Sequence, residues 1–192
     1  ALVAEVEGLA VGVLGGERVA LNILGRCSGV ASMAARAVGV ARAQGRAGVV
    51  GGTRKTTPGF RLKYALGVGG ADPHRGGLGG LLLLKDNHRA LAAAVGGLEQ
   101  VWTPELGRKW GVLNWGVLGR GIPRLGACSP QELHMAAAQV KATHPGVTVE
   151  ASGGVILGTL PQFLGPHIDV VSMGCLTHSA PALDFALRVL EP

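Results

Sequence analysis

Thr53-Arg54-Lys55-Thr56-Thr57-Pro58-Gly59 packs two fixed cations, three hydroxyls and a turn into one short run. Arginine offers a planar fork for a carboxylate or phosphate, and lysine a point charge. Adjacent residues on an extended segment point opposite ways, so Arg54 and Lys55 reach one anion only if the loop curls. Pro58-Gly59 favours that curl. Three more polar clusters follow: His74-Arg75, Lys85-Asp86-Asn87-His88 and Glu150-Ala151-Ser152-Gly153-Gly154. Ser152-Gly153-Gly154 presents consecutive backbone N–H groups with no side chain to block approach, a nest suited to phosphate oxygens. Met173-Gly174 is a second such turn. Lys55 and Lys85 are the catalytic candidates. Arg54, Lys55, His74, Arg75, Lys85, Ser152, Gly153, Gly154 and Gly174 are the binding candidates, and the substrate they suit is small, anionic and phosphorylated. The bland counterparts are a solvated basic loop, a strand-end lysine in water and glycine turns of purely structural use.

These groups need elements that bring them together. Residues 17–44 read as one long helix or two short ones, with Leu21, Leu24, Ser28, Ala31 and Ala35 on one face. Gly48–Gly52 reads as a short buried strand leading into the Arg54-Lys55 loop. Phe60–Leu66 suits a helix, and Gly67–Gly80 a Gly-rich loop carrying His74 and Arg75. Leu81–Leu84 suits a parallel strand covered on both faces, with Lys85 at its carboxyl end and a helix over 89–99. A strand is expected near Gly111–Asn114. Ser129 as N-cap, Pro130 in the first turn and Glu132 three residues after the cap mark a helix start, and that helix runs to about Thr143. Strands over Val147–Glu150 and Ile168–Met173 alternate with helices over Leu157–Leu164 and Pro181–Leu190. Polar residues fall where strands end. Four loops with candidate groups converge most simply at the mouth of an α/β barrel, in preference to a doubly wound sheet.

The chain has 192 residues, 47% of them apolar, enough for one substantial core. Its net charge of +6 rests on charged residues that make up only 16% of the chain, so it is no polyelectrolyte. The cations form no run and the few aromatics do not interleave with them, so no nucleic-acid partner is expected. Cys27, Cys128 and Cys175 are dispersed, odd in number and without metal spacing, which argues for a reducing, cytoplasmic compartment. No apolar run reaches membrane-spanning length, and no membrane partner is expected. No covalent nucleophile, Walker A motif or dinucleotide fingerprint is evident.

The motifs resemble those of quinolinate phosphoribosyltransferase, the decarboxylating enzyme of NAD synthesis. The resemblance lies in Glu17-Arg18-Val19-Ala20-Leu21-Asn22, Arg26-Cys27-Ser28-Gly29-Val30-Ala31, Thr53 through Gly59, His74-Arg75, Lys85 through His88, Glu150 through Gly154, and Ser172-Met173-Gly174 with Leu176-Thr177. Leu160-Pro161-Gln162-Phe163 and Pro181 through Phe185 are similar to the vertebrate form. The resemblance implies an incomplete (open) α/β barrel with parallel strands, with residues 1–16 a remnant of an N-terminal α/β sandwich that is otherwise missing and 17–192 the barrel. It implies transfer from 5-phosphoribosyl 1-pyrophosphate to quinolinate with Mg2+, yielding nicotinate mononucleotide, pyrophosphate and CO2. It assigns Arg54, Lys55, His74, Arg75 and Lys85 to the quinolinate carboxylates. Ser152, Gly153, Gly154 and Gly174 fall to the ribose-phosphate end. Arg18 matches an arginine reaching in from a neighbouring subunit, in a homodimer or hexamer with shared sites.

Residues 91–128 depart from the family's pattern. The family carries a glutamate at a middle strand end and an aspartate in a Leu-Leu-Asp-Asn-like segment, both serving Mg2+ and phosphoribosyl pyrophosphate. Counting back from Pro130 puts Gly126 at the aspartate position and Glu105 near the glutamate position, so the metal residues are unassigned. Three other readings stand beside the first: a non-decarboxylating nicotinate-type phosphoribosyltransferase, a sugar-phosphate barrel isomerase or aldolase with Lys85 reactive, and a catalytically impaired oligomer subunit.

Overall fold

A computed structural model of the chain describes residues 1–45, 49–59, 63–73, 112–114, 129–143, 145–146 and 148–190. Helix α1 (Ala10–Ala43) is a single 34-residue helix. Gly45, at φ +66°, ends it, with its N–H donating to the Arg42 carbonyl at 2.9 Å. The buried side of α1 is Gly25, Gly29, Val30, Ala34, Ala37 and Ala41. This corrects the expected face of Leu21, Leu24, Ser28, Ala31 and Ala35: Leu24 and Ala35 are exposed. Contact here depends on close backbone approach, so glycine and alanine are buried in preference to leucine. A Cβ on Gly69 would meet the α1 backbone at Ala31 and Ala35.

Strand β1 (Val49–Gly51) is followed by α2 (Lys63–Val68). Strand β2 (Val112–Asn114) precedes α3 (Pro130–Thr143). Then come β3 (Thr148–Ser152), α4 (Leu160–Phe163), β4 (Val170–Ser172) and α5 (Cys175–His178). The expected strand Leu81–Leu84 and the helix over 89–99 lie outside the described residues. The expected start of α3 is confirmed in full. Ser129 N–H and Oγ–H donate to Glu132 Oε2 at 2.9 and 3.0 Å, and Glu132 N–H donates back to Ser129 Oγ at 3.3 Å.

All pairings between the four strands are parallel, in the order β1-β4-β3-β2. Strands β2, β3 and β4 neighbour one another in chain order, and the last pairs with the first. On the other side of β1 the chain continues: Gly52 N–H donates to the Asp72 carbonyl and Asp72 N–H to the Val50 carbonyl, both at 2.8 Å. An order that runs round and returns to its first strand belongs to a barrel, here an open one, and not to a doubly wound sheet.

The two faces of the sheet differ. Val50, Val171 and Ala151 form one register row, all 3% exposed or less, on the face packed against the helices. Glu150 and Ser172 point to the opposite face, where the buried Ser172 hydroxyl donates to Glu150 Oε1 at 2.5 Å. At the foot of the sheet, Asp169 Oδ2 accepts from Val149 N–H at 2.7 Å and pairs with Lys141 Nζ of α3 at 2.7 Å.

Residues 181–190 correct an expectation. The predicted helix over Pro181–Leu190 is absent, and the chain there has no regular structure. Leu183 N–H donates to the Gly25 carbonyl of α1 at 3.0 Å. The Pro181 and Leu183 carbonyls lie where a Cβ on Gly29 or Gly25 would stand. Backbone contact with two glycines overrides local helix propensity.

Candidate active site

The loop after β1 bends at Arg54. Lys55 N–H donates to Thr53 Oγ1 at 3.2 Å, a side-chain turn that reverses the chain at Arg54. Arg54 and Lys55 are exposed, and among the described residues neither has an ionic partner. The loop lies beside the turn after β4. Met173 N–H donates to the Gly51 carbonyl at 2.8 Å. A Cβ on Gly174 would stand 3.4 Å from Thr53 Oγ1 and 3.0 Å from His178 Nε2. Only glycine leaves that corner between loop and histidine clear.

The next strand end completes the described rim. Gly51, Ser172 and Ser152 share one register row, so the loops after β1, β4 and β3 leave the sheet at one level. Beyond Ser152 the chain takes φ +113° at Gly153 and +65° at Gly154, and a Cβ on either would meet nothing within 4 Å. Open space and left-handed backbone together make a turn whose N–H groups an anion can approach.

Six of the expected groups, Arg54, Lys55, Ser152, Gly153, Gly154 and Gly174, thus gather at the carboxyl ends of three adjacent strands. His74, Arg75 and Lys85 lie outside the described residues. Asp72, two residues before His74, is bridged to β1 at its carboxyl end. Arg18 stands apart on the exposed half of α1, its side chain 73% exposed and only 3.8 Å from its neighbour Glu17.

Three residues at the site were assigned no role by the sequence, although Arg26 and Thr177 fall within its family-like motifs. Thr177 is fully buried, and its hydroxyl donates to the Lys55 carbonyl and lies 3.1 Å from the Gly174 carbonyl. His178 leans over Gly174, with its Nδ1 2.5 Å from Ser179 Oγ. Arg26 of α1 reaches the loop from behind, its Nε–H donating to Thr57 Oγ1 at 3.2 Å. The usable signal for Arg26 was a lone arginine beside the small-residue pair Gly25 and Gly29. At the start of α5, burial pushes the Cys175 thiol up, while its bond to the Val155 carbonyl holds the side chain inward.

An open parallel barrel with cations and glycine turns on one rim defines an anion-binding α/β-barrel protein of the kind that acts on phosphorylated substrates. The comparisons narrow this class. The chain matches the family described as quinolinate phosphoribosyl transferase, C-terminal domain, over residues 30–105 and 118–188. It is 52% identical over 204 residues to the human nicotinate-nucleotide pyrophosphorylase [carboxylating], covering 98% of this chain and 68% of the human one. The rat protein of that name is 51% identical, with 97% of this chain and 67% of the rat chain covered. The crystal structure of NadC from Streptococcus pyogenes superposes with a TM-score of 0.72 at 33% identity, over 95% of this chain and 67% of that one. The chain belongs to the quinolinate phosphoribosyl transferase family. It spans about two-thirds of the length of these relatives.

Proposed function

We propose that this chain joins quinolinate to 5-phosphoribosyl 1-pyrophosphate, forming nicotinate mononucleotide, pyrophosphate and CO2. The observation that carries the reading is the exposed pair Arg54 and Lys55 on a curled loop beside the Gly174 turn, within a barrel of this family. Quinolinate bears two adjacent carboxylates that repel each other and must shed water. Arg54, Lys55, His74, Arg75 and Lys85 would offset that cost with charge-assisted hydrogen bonds. Ser152, Gly153, Gly154 and Gly174 would hold the ribose phosphate. Lys55 and Lys85, as catalytic lysines, would keep the pyridine nitrogen facing the anomeric carbon. That nitrogen forms the new bond as the bond to pyrophosphate breaks, its electrons leaving with pyrophosphate. When the C2 carboxylate departs as CO2, the electron pair of the broken bond stays on C2, stabilised by the adjacent positive nitrogen, and C2 then uses it to take a proton from solvent.

Mg2+ would enter with phosphoribosyl pyrophosphate and supply charge neutralisation at the departing pyrophosphate. Among the described residues no group of three or more His, Cys, Asp or Glu is arranged to hold a metal.

The assembly proposed is a homo-oligomer, a dimer or hexamer, with Arg18 entering the site of a second copy. The exposed apolar residues Val11, Leu14 and Val19 lie near Arg18 on the first half of α1, with Leu9 just before it, and support a covered surface there. Residues 1–16, with Leu2, Val3 and Val6 also exposed, are assigned to an N-terminal domain and its link, and 17–192 to the barrel. The boundary between the two assignments falls inside α1. Among the described residues no helix is long and apolar enough to cross a membrane. The free cysteines Cys27 and Cys175 suit the cytoplasm.

Quinolinate labelled at its C2 carboxylate tests the reading. The expected result is labelled CO2 released only with phosphoribosyl pyrophosphate and Mg2+ present. Product formed from nicotinate and none from quinolinate overturns it. Binding of both substrates without turnover selects the impaired-subunit reading, which the departures in residues 91–128 favour.

A further inference from the structure

Arg26 uses its whole guanidinium, and spends it on neutral oxygens. Its Nε–H donates to Thr57 Oγ1 at 3.2 Å, one terminal nitrogen donates to the Thr177 carbonyl, and the other to the Ala180 carbonyl. Among the described residues no carboxylate pairs with it. Its contacts join three segments distant in sequence: α1, the loop after β1, and the chain from α5 to Ala180. Thr177 closes the arrangement, since its buried hydroxyl donates to the Lys55 carbonyl. The stretch Lys55–Thr57 is therefore held at both ends, by Thr177 at Lys55 and by Arg26 at Thr57.

We infer that Arg26, acting through Thr177, is a positioning residue that fixes the Arg54-Lys55 loop relative to the Gly174 turn. This rests on the proposed assignment of that loop to quinolinate and of that turn to phosphate. The pair is assigned no contact with either substrate. It sets the distance between the two ends of the site, and misplacing a reacting group by about 1 Å can cost about 100-fold in rate. A lysine at position 26 keeps the charge but has one nitrogen. It cannot reach a hydroxyl and two carbonyls on separate segments with the planar fork that arginine provides.

Arg26→Lys and the near-isosteric Thr177→Val test the inference separately, so the second still decides if the first folds poorly. In each variant, binding of quinolinate alone and of phosphoribosyl pyrophosphate alone should stay within about threefold of the parent protein. Turnover per titrated site should fall at least tenfold, because the two ends are misplaced relative to each other. A second readout needs no turnover: trypsin should cut the Lys55–Thr56 bond at least tenfold faster, followed by mass spectrometry, with cleavage after Arg188 unchanged. A role in stability alone would lower the number of titrated sites and leave turnover per site intact. That result, or an unchanged rate of cutting at Lys55 in both variants, overturns the inference. A parent protein that never converts quinolinate refutes the proposed function instead, and the trypsin comparison still decides whether the latch exists.

Discussion

Gly29 and Gly39 lie on the same helix and should respond to alanine in opposite directions. Alanine in a helix interior is favoured over glycine by about 0.8–1 kcal/mol. At Gly39 a Cβ would meet nothing within 4 Å, so Gly39→Ala should gain roughly 0.5–1 kcal/mol. At Gly29 the Cβ would fall on the Pro181 carbonyl and lie 2.9 Å from its carbon and 3.4 Å from Ala182 Cα. These are backbone atoms, so the stretch at 181–183 must move away. Overpacking of this kind costs about 1–3 kcal/mol. Displacement also threatens the Leu183–Gly25 backbone bond and the Arg26 bond to Ala180, and a bond to a charged group contributes about 1.5–3 kcal/mol. Subtracting the helix gain from the overpacking cost leaves Gly29→Ala about 0–2 kcal/mol less stable than the parent, and less stable still by whatever part of those bonds is lost. Thermal melts of the three proteins under one condition provide the assay. For a chain of this size, 1 kcal/mol moves Tm by about 2–4 °C, so the two variants should separate clearly. Equal stabilisation by both substitutions would refute the close packing of residues 181–183 on α1, and with it the reason no helix forms there.

Three further outcomes are expected. Arg54→Ala should leave stability within about 0.5 kcal/mol, since the side chain is exposed and has no ionic partner among the described residues. It should weaken quinolinate by about 10- to 100-fold and phosphoribosyl pyrophosphate by less, measured by separate calorimetric titrations; an equal loss for both reverses the assignment of the two ends. Asp169→Ala should cost more than Lys141→Ala. The first leaves the Val149 N–H without its carboxylate acceptor, at about 1–3 kcal/mol, whereas the second removes a partly exposed ion pair of about 0–1 kcal/mol; thermal melts giving the reverse order contradict this. The Cys175 thiol, raised by burial, stays protonated to higher pH than an ordinary thiol, so its thiolate fraction is smaller at any pH through the normal thiol range. Alkylation at Cys175, followed by peptide mapping against pH, should therefore lag a free thiol, and a faster reaction would show that the side chain is not held inward.

Where the sequence could be read, local chemistry decides local structure. The capping box at Ser129 and Glu132 needs residues three apart and nothing else. The curl at Arg54 needs the Thr53 hydroxyl two residues from the Lys55 amide. Short apolar runs bounded by glycine and polar residues gave the strands, and polar groups at their ends gave the rim. The unread parts depend on distance. Arg26 acts on oxygens 151 and 154 residues away, beyond what spacing along a chain reveals. The buried face of α1 is rotated from the expected Leu21, Leu24, Ser28, Ala31 and Ala35, because this contact is between backbones and selects Gly25 and Gly29. The same contact withdrew residues 181–190 from a helix that their apolar pattern predicts.

The way the loop is fastened leaves its cations available for the proposed ligand. Thr53 Oγ1 takes the Lys55 amide hydrogen, Thr177 binds the Lys55 carbonyl, and Arg26 binds the Thr57 hydroxyl. Each anchor uses backbone or a hydroxyl, and none uses the Arg54 guanidinium or the Lys55 ammonium. Had the loop been held by ion pairs to those two heads, binding an anionic substrate would first have to break them, and the cost would be subtracted from affinity. Here the backbone is fixed first, and both charges stay in solvent until a carboxylate replaces water. Rigid backbone with unpaired charge is the arrangement expected where electrostatic stabilisation must already be in place when the substrate arrives.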